Sequence, residues 1–339
     1  MKKSYVWLIA ILGMATAWTG CSKDNGNGID TPTPQEEQVE IMAKSKALTL
    51  NVTTKAPFEG TIGEDSELTA RVLVSTTEGD YSDTHTDGTM IFADNGETAV
   101  GFETGFDGNK FFPGNDDIYL VGLYPVTTAT IADGAVAYTI DGKSDIMFAG
   151  EEETSKNAET APTLAFTHLL TKLNIFAVTA DDATAEAWGD IIELTITERN
   201  VAAITLADGT VDFGEDTGSI SFYDITGDEA VSDENALSIT VVPEEQEEGN
   251  EVEAEVIAYS LVTPIELAQE ETYTLLLKTA TSGEEAISVP ITITPSDEDI
   301  DSTAGYYFDI TLTFKGTEIT ATATVTDWVA GGTGAGTIE

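Results

Sequence analysis

Apolar and small polar residues alternate one for one along much of this chain. A period of two commits such stretches to extended strands with one face buried. In residues 48–53, Leu48, Leu50 and Val52 alternate with Thr49, Asn51 and Thr53. Comparable runs follow at 67–75 (ELTARVLVS) and 118–124 (IYLVGLY). Near the end, 307–314 and 319–326 are long alternating runs separated only by Lys315, Gly316, Thr317 and Glu318. Asp87-Gly88, Asn95-Gly96, Asp107-Gly108, Asp133-Gly134, Asp141-Gly142 and Asp208-Gly209 punctuate the chain. Such pairs favour the positive-φ turns of β-hairpins. Helical periodicity is scarce, the best stretch being 181–188. The predicted fold class is all-β.

At 41% hydrophobic residues the chain can bury cores, and its 339 residues suit two domains better than one. Two tandem β-sandwich domains of transthyretin or immunoglobulin-like type are expected. Residues 22–38, rich in Asp, Asn, Gly, Pro, Thr and Gln, read as a flexible tether. The acidic, Ala-rich stretch 179–190 (TADDATAEAWGD) is the natural boundary, dividing an N-terminal sandwich at 56–180 from a C-terminal one at 181–339. Strands of the second half are expected at 191–197, 219–223, 236–242, 256–262, 273–278 and 286–293, with acidic loops at 244–255 and 295–301.

Cys21 is the only cysteine, so no disulfide can staple the chain to itself. Lys2 and Lys3 precede a largely apolar stretch at 5–17, too short to span a bilayer, and Thr19 and Gly20 lead into Cys21. This resembles a bacterial lipoprotein signal, with Trp18 at the −3 place where a small aliphatic is usual. The resemblance implies a signal peptide at 1–20, a tether and removable segment at 21–55, and lipidation (palmitate among the chains) at Cys21. The precursor is then expected on the outer membrane through that lipid. Sixty-one acidic against fourteen basic residues give a net charge of −47. That excludes nucleic acid as a partner and disfavours direct contact with anionic headgroups.

Motifs for chemistry are missing. His85 and His168 are the only histidines, and they form no paired metal spacing. No GxSxG elbow, P-loop or dinucleotide fingerprint occurs. Residues 107–117 and 295–301 offer oxygen ligands, but neither follows the EF-hand spacing for calcium. The expectation is a protein without enzymatic activity, cofactor or metal.

Several segments, in order, resemble the fimbrillin family of Bacteroidetes fimbriae. They are the Cys21 signal, LNVTTKAPFEG at 50–60, LVGLYP at 120–125, AFTHLLTKLNI at 165–175, GYYFDITLTFKG at 305–316 and ITATATVTDWVAGGTGAG at 319–336. The resemblance implies a surface-pilus subunit, exported as a lipoprotein and cut by a trypsin-like protease behind its first strand. Lys55, before Ala56, fits that cut best. Lys44 and Lys46 precede the strand, and Arg71 lies inside a strand-like run. Removing Leu48, Leu50 and Val52 with their strand would open an apolar groove with unpaired backbone edges. Ile319, Ala321, Ala323 and Val325 fall on one face of the C-terminal run and are spaced as a donor strand requires, or as the last strand of their own domain. A head-to-tail contact of this kind yields a filament of copies of the chain or related fimbrillins. A tip adhesin, an anchor subunit and a monomeric glycan-binding surface lipoprotein are the alternatives.

Overall fold

The runs at 67–75, 118–124, 307–314 and 319–326 all form strands. The computed structural model describes residues 44–45, 50–51, 59–60, 67–82, 86–93, 100–104, 117–126, 129–155, 162–227, 229–243, 252–266, 272–291, 293, 302–316 and 318–327. Those residues are almost wholly β. In chain order come β1 (Lys44–Ser45), β2 (Leu50–Asn51), β3 (Glu59–Gly60), β4 (Glu67–Ser75), β5 (Thr86–Ala93), β6 (Val100–Thr104), β7 (Ile118–Tyr124), β8 (Ala135–Thr139), β9 (Met147–Thr154), β10 (Thr163–Leu164) and β11 (Phe166–His168). After them come β12 (Thr171–Thr179), α1 (Asp182–Trp188), β13 (Ile191–Arg199), β14 (Val201–Thr205), β15 (Val211–Asp212), β16 (Thr217–Ser221) and β17 (Tyr223–Asp224). The series closes with β18 (Thr240–Val241), β19 (Ala258–Val262), β20 (Tyr273–Thr279), β21 (Ile287–Ile291), β22 (Tyr306–Lys315) and β23 (Glu318–Asp327).

The first half forms an antiparallel sheet in the order β11-β9-β7-β4-β5-β6. In the second half, a sheet ordered β17-β19-β12-β22-β23 accompanies another ordered β16-β13-β20-β21. Apolar residues from both, among them Leu173, Ile310, Ile196 and Leu275, share one core, so the pair is a β-sandwich. β16 leads directly into β17, carrying the chain from one sheet to the other. A smaller sheet, β15-β14-β8, joins the halves: Val201 to Thr205 pair antiparallel with Thr139 to Ala135. Residues Gln38–Glu339 form one compact unit, and a single apolar cluster runs from Leu73 to Phe314.

The sequence boundary assigns 171–179 to the N-terminal sandwich, but β12 lies in the C-terminal sheet. It pairs in parallel with β22 from Lys172↔Tyr307 to Thr179↔Phe314, and antiparallel with β19. The change of sheet comes at Leu169 and Leu170. β12 is buried along most of its length on both faces, which demands neighbours at both edges and cover on both sides. Only a central place supplies that.

Turn chemistry holds at some Asp-Gly pairs and loses at one. Asp133 and Gly134 have φ of 53° and 73°, and Ala132 and Ala135 exchange backbone hydrogen bonds of 3.0 Å across them. Asp87-Gly88 sits instead inside β5, opposite Leu73 and Val72. Eight consecutive ladder pairs with β4 outweigh the local turn preference there. Asp141 makes a side-chain turn, accepting from the Lys143 and Ser144 amides at 2.9 and 2.7 Å. Gly142 (φ 84°) approaches Ser221 so closely that a Cβ would stand 2.4 Å from its carbonyl oxygen.

Candidate functional site

β23 closes one edge of the C-terminal sheet. It pairs with β22 along its full length, from Lys315↔Glu318 to Tyr306↔Asp327. Phe308, Ile310, Leu312 and Phe314 of β22 are buried, and their partners on β23 are Val325, Ala323, Ala321 and Ile319. Ile319, Ala321 and Ala323 are half-buried against the core, while Thr320 and Thr322 are exposed. Alternation thus orients the strand, but its described inward places, Ile319, Ala321 and Ala323, carry one branched aliphatic and two alanines at the sheet margin. Such a strand contributes less apolar burial than a central one, since hydrophobic stabilisation scales with area removed from water.

One end of the hairpin is clamped. Asp181 caps α1 by accepting from the Thr184 amide at 2.8 Å, and Gly189 (φ 68°) ends the helix with its N–H bonded to the Ala185 carbonyl. This short helix carries Trp188 onto Phe314, edge to face, with ring centroids 5.7 Å apart. The indole N–H donates to the Lys315 carbonyl at 2.8 Å, fixing the turn between β22 and β23.

The N-terminal sheet has a second apolar face. Leu73, Val121, Leu123 and Phe148 point into the principal core, and the intervening residues point away from it. Ala70, Val72, Leu120, Ala149 and Phe166 on that other side are each at most 4% exposed, yet lie outside the principal cluster. Gly122 lets the Phe166 ring lie over the strand, since a Cβ there would meet the ring at 2.5 Å. β10, which leads into β11, holds β1 in parallel through Lys44↔Thr163 and Ser45↔Leu164.

Elsewhere the geometry is structural. His168 Nδ1 lies 2.5 Å from Asp145 Oδ2, a pair almost wholly buried where the sheets change over. Tyr81 O–H donates to Glu151 at 2.6 Å, and burial followed by that bond raises its ionisation well above the ordinary tyrosine range. Tyr273, fully buried, donates to the Thr263 carbonyl at 2.8 Å, and burial raises it likewise. Arg71, 7% exposed in the centre of its sheet, donates to the Ala129 carbonyl at 2.8 Å, which removes it as a ready cleavage point. Among the described residues no group of three or more His, Cys, Asp or Glu is disposed to hold a metal.

The fimbrillin-like family profile matches residues 54–328. This chain belongs to the fimbrillin-like family. No curated protein matches it. Among solved structures, a candidate cell adhesion protein from Bacteroides uniformis is 19% identical, with a TM-score of 0.53 over 88% of this chain and 100% of its own. A second, from Bacteroides ovatus, is 16% identical at the same TM-score of 0.53, over 86% of this chain and 98% of its own. These likenesses show that the fimbrillin-like fold is common to all three.

Of the residues singled out in the sequence, Leu50 lies in β2 opposite Gly60, and Ile319, Ala321 and Ala323 take the positions above. Val325 pairs with Phe308 through its backbone. Cys21, Leu48, Val52, Lys55, Ala56 and His85 lie outside the described residues. Among the described residues no ladder joins β2 to β23. Two functional features escaped the sequence reading. The doubly apolar sheet was signalled by the unbroken apolar text of 118–124, and the Trp188 clamp by a lone tryptophan ending the only helix-like stretch.

Proposed function

We propose that this fimbrillin-like protein is a structural subunit of a cell-surface fimbria, with a shaft role, polymerising by donor-strand exchange. The observation that carries this reading is β23: an edge strand of ten residues, polar outward and small inward, joined to its domain along one edge only. Its withdrawal would break one ladder and leave the central strands of both sheets in place. The receiving surface is the second face of the N-terminal sheet. On this reading the strand of Leu48, Leu50 and Val52 is the precursor's placeholder for that face; what supports a place nearby is β1, just upstream, paired with β10.

On this reading the precursor reaches the outer membrane through lipid on Cys21. A trypsin-like protease then cuts between Lys55 and Ala56, and Ile319, Ala321, Ala323 and Val325 of a neighbour fill the vacated face. The family match starts at residue 54, beside the proposed cut. No catalytic step by the subunit itself is required.

A chain beginning at Ser22, treated with trypsin at low dose, tests this by N-terminal sequencing and unheated gel electrophoresis. Cleavage after Lys55 followed by an SDS-resistant ladder is the expected result. A clean cut that leaves only monomers assigns the chain to a tip position. Resistance at Lys55 with persistent monomers overturns the reading in favour of an anchor or a surface binding protein.

A further inference from the structure

A half-open cavity of about 210 Å³ lies where the small joining sheet meets the C-terminal sandwich. Leu169, Val211, Phe213, Pro264 and Ala304 give it an apolar wall, and Arg199, Glu266 and Ser302 complete the lining. An apolar cavity of roughly 150 Å³ accepts benzene, whereas pockets for drug-sized ligands run to about 300–1,000 Å³. The volume suits one phenyl-sized body with a small head group. An oligosaccharide does not fit.

The walls are held in place by the protein itself. Thr303, fully buried, exchanges bonds with Ile265: its N–H donates to the Ile265 carbonyl at 3.1 Å, and its hydroxyl accepts from the Ile265 amide at 2.9 Å. The next residues out, Glu266 and Ser302, stand opposite each other as a bridge. The Thr171 hydroxyl donates to the Thr303 carbonyl at 2.8 Å, and the Tyr273 hydroxyl to the Thr263 carbonyl at 2.8 Å. The Thr263 hydroxyl donates in turn to the Arg199 carbonyl at 2.6 Å. A network of hydroxyls thus fixes the backbone at or beside each polar lining residue, the support that a preformed site requires. The Arg199 side chain is fixed as well, its guanidinium over the Phe213 ring at 5.9 Å and donating to the Pro264 carbonyl at 3.1 Å. A guanidinium carries several N–H donors in one plane, and that bond uses one of them. Among the described residues it makes no other hydrogen bond, so the rest of the fork can take a carboxylate.

Charge then selects the ligand. Arg199 and Glu266 line the same cavity with opposite charge, and no ion pair joins them. A carboxylate has room for several donors, so Glu266 can accept an ammonium whatever else it holds. A free anion would also enter against the net charge of −47, whereas a zwitterion carries no net charge. We infer that this cavity binds a free α-amino acid with an apolar side chain of leucine to phenylalanine size. Its carboxylate meets Arg199, its ammonium meets Glu266, and its side chain lies along the wall of Val211, Phe213 and Pro264. The site is separate from β23 and from the second face of the N-terminal sheet, so it stands whether or not the subunit polymerises by strand exchange.

The test uses the unprocessed chain from Ser22 and ligand-observed nuclear magnetic resonance. L-Phenylalanine and L-leucine are titrated beside N-acetyl-L-phenylalanine, which lacks the ammonium, and L-phenylalaninamide, which lacks the carboxylate. Saturable binding of both amino acids is expected, with each blocked form weaker by about tenfold or more. Glu266→Gln, at an exposed side chain, should erase the preference over the N-acetyl form. Arg199→Lys, which keeps the charge but not the fork, should weaken both amino acids about tenfold. Val211→Trp, which fills the cavity, should abolish binding with an unchanged far-ultraviolet spectrum. No binding of either amino acid up to about 10 mM overturns the inference. Equal binding of the N-acetyl form overturns it too, since the site would then be one for simple anions. So does binding that survives Val211→Trp in a folded chain. Should that variant not fold, the ligand series on the unaltered protein decides.

Discussion

Buried tyrosines make this protein sensitive to alkali at the level of single residues. Tyr273 is fully buried, Tyr81 nearly so, and burial raises the ionisation of both above the ordinary value of 10.0. Tyr124 is raised by burial and then by nearby Asp145. In the unfolded chain these phenols lose their protons near pH 10, while in the folded chain they keep them. The unfolded state therefore binds fewer protons above that pH, and stability, constant below it, falls as pH rises through and beyond it. Each such tyrosine contributes a loss of at most about 1.4 kcal/mol per pH unit. Urea midpoints measured from neutral pH to about pH 11 should hold steady and then drop, less steeply in Tyr273→Phe. A flat profile across that range contradicts the assigned environments.

At the scale of elements, the last hairpin combines a strong ladder with a weakly buried outer strand. β23 is fully paired on its inner edge, yet its described inward side chains, Ile319, Ala321 and Ala323, are only half-buried, so its retention depends also on what holds its end at the Lys315 turn. Trp188 is the visible restraint, stacked on Phe314 and bonded to the Lys315 carbonyl. Trp188→Ala removes a half-buried aromatic contact and one hydrogen bond, a loss of roughly 2–3 kcal/mol. Hydrogen exchange should show faster opening of β22 and β23 near the Lys315 turn, with β4 and β7 unchanged. Uniform acceleration across the whole chain would mean that α1 supports the global fold rather than the hairpin.

Over the whole molecule, charge opposes what the strands favour. At a net charge of −47, two subunits repel each other strongly when they approach. Screening shortens the reach of that repulsion from about 30 Å at 0.01 M salt to about 8 Å at 0.15 M. Polymer growth after Lys55 cleavage should therefore accelerate at least tenfold over that interval, followed by light scattering. A rate indifferent to salt would place the contact surfaces away from the acidic loops, with a conformational step such as strand release setting the pace.

Much of this architecture was already written in short-range patterns. Alternation at 307–314 and 319–326 determined strands, and for the former its buried face, because side chains on an extended backbone point to opposite sides by turns. The apolar runs at 67–75 and 118–124 determined strands buried on both faces. The stretch 181–188 determined its helix through Asp181 as cap and Gly189 as stop. The family motifs did as well, since they are spread over the same strands. What local text could not carry was partnership across distance. Asp87-Gly88 reads as a turn until β4 pairs along its flanks, and 171–179 reads as the end of the first domain until β22, more than a hundred residues later, lies beside it. A strand's own residues state which face is apolar; only the assembled sheets decide which neighbour covers that face, because the burial is shared by residues the sequence keeps apart.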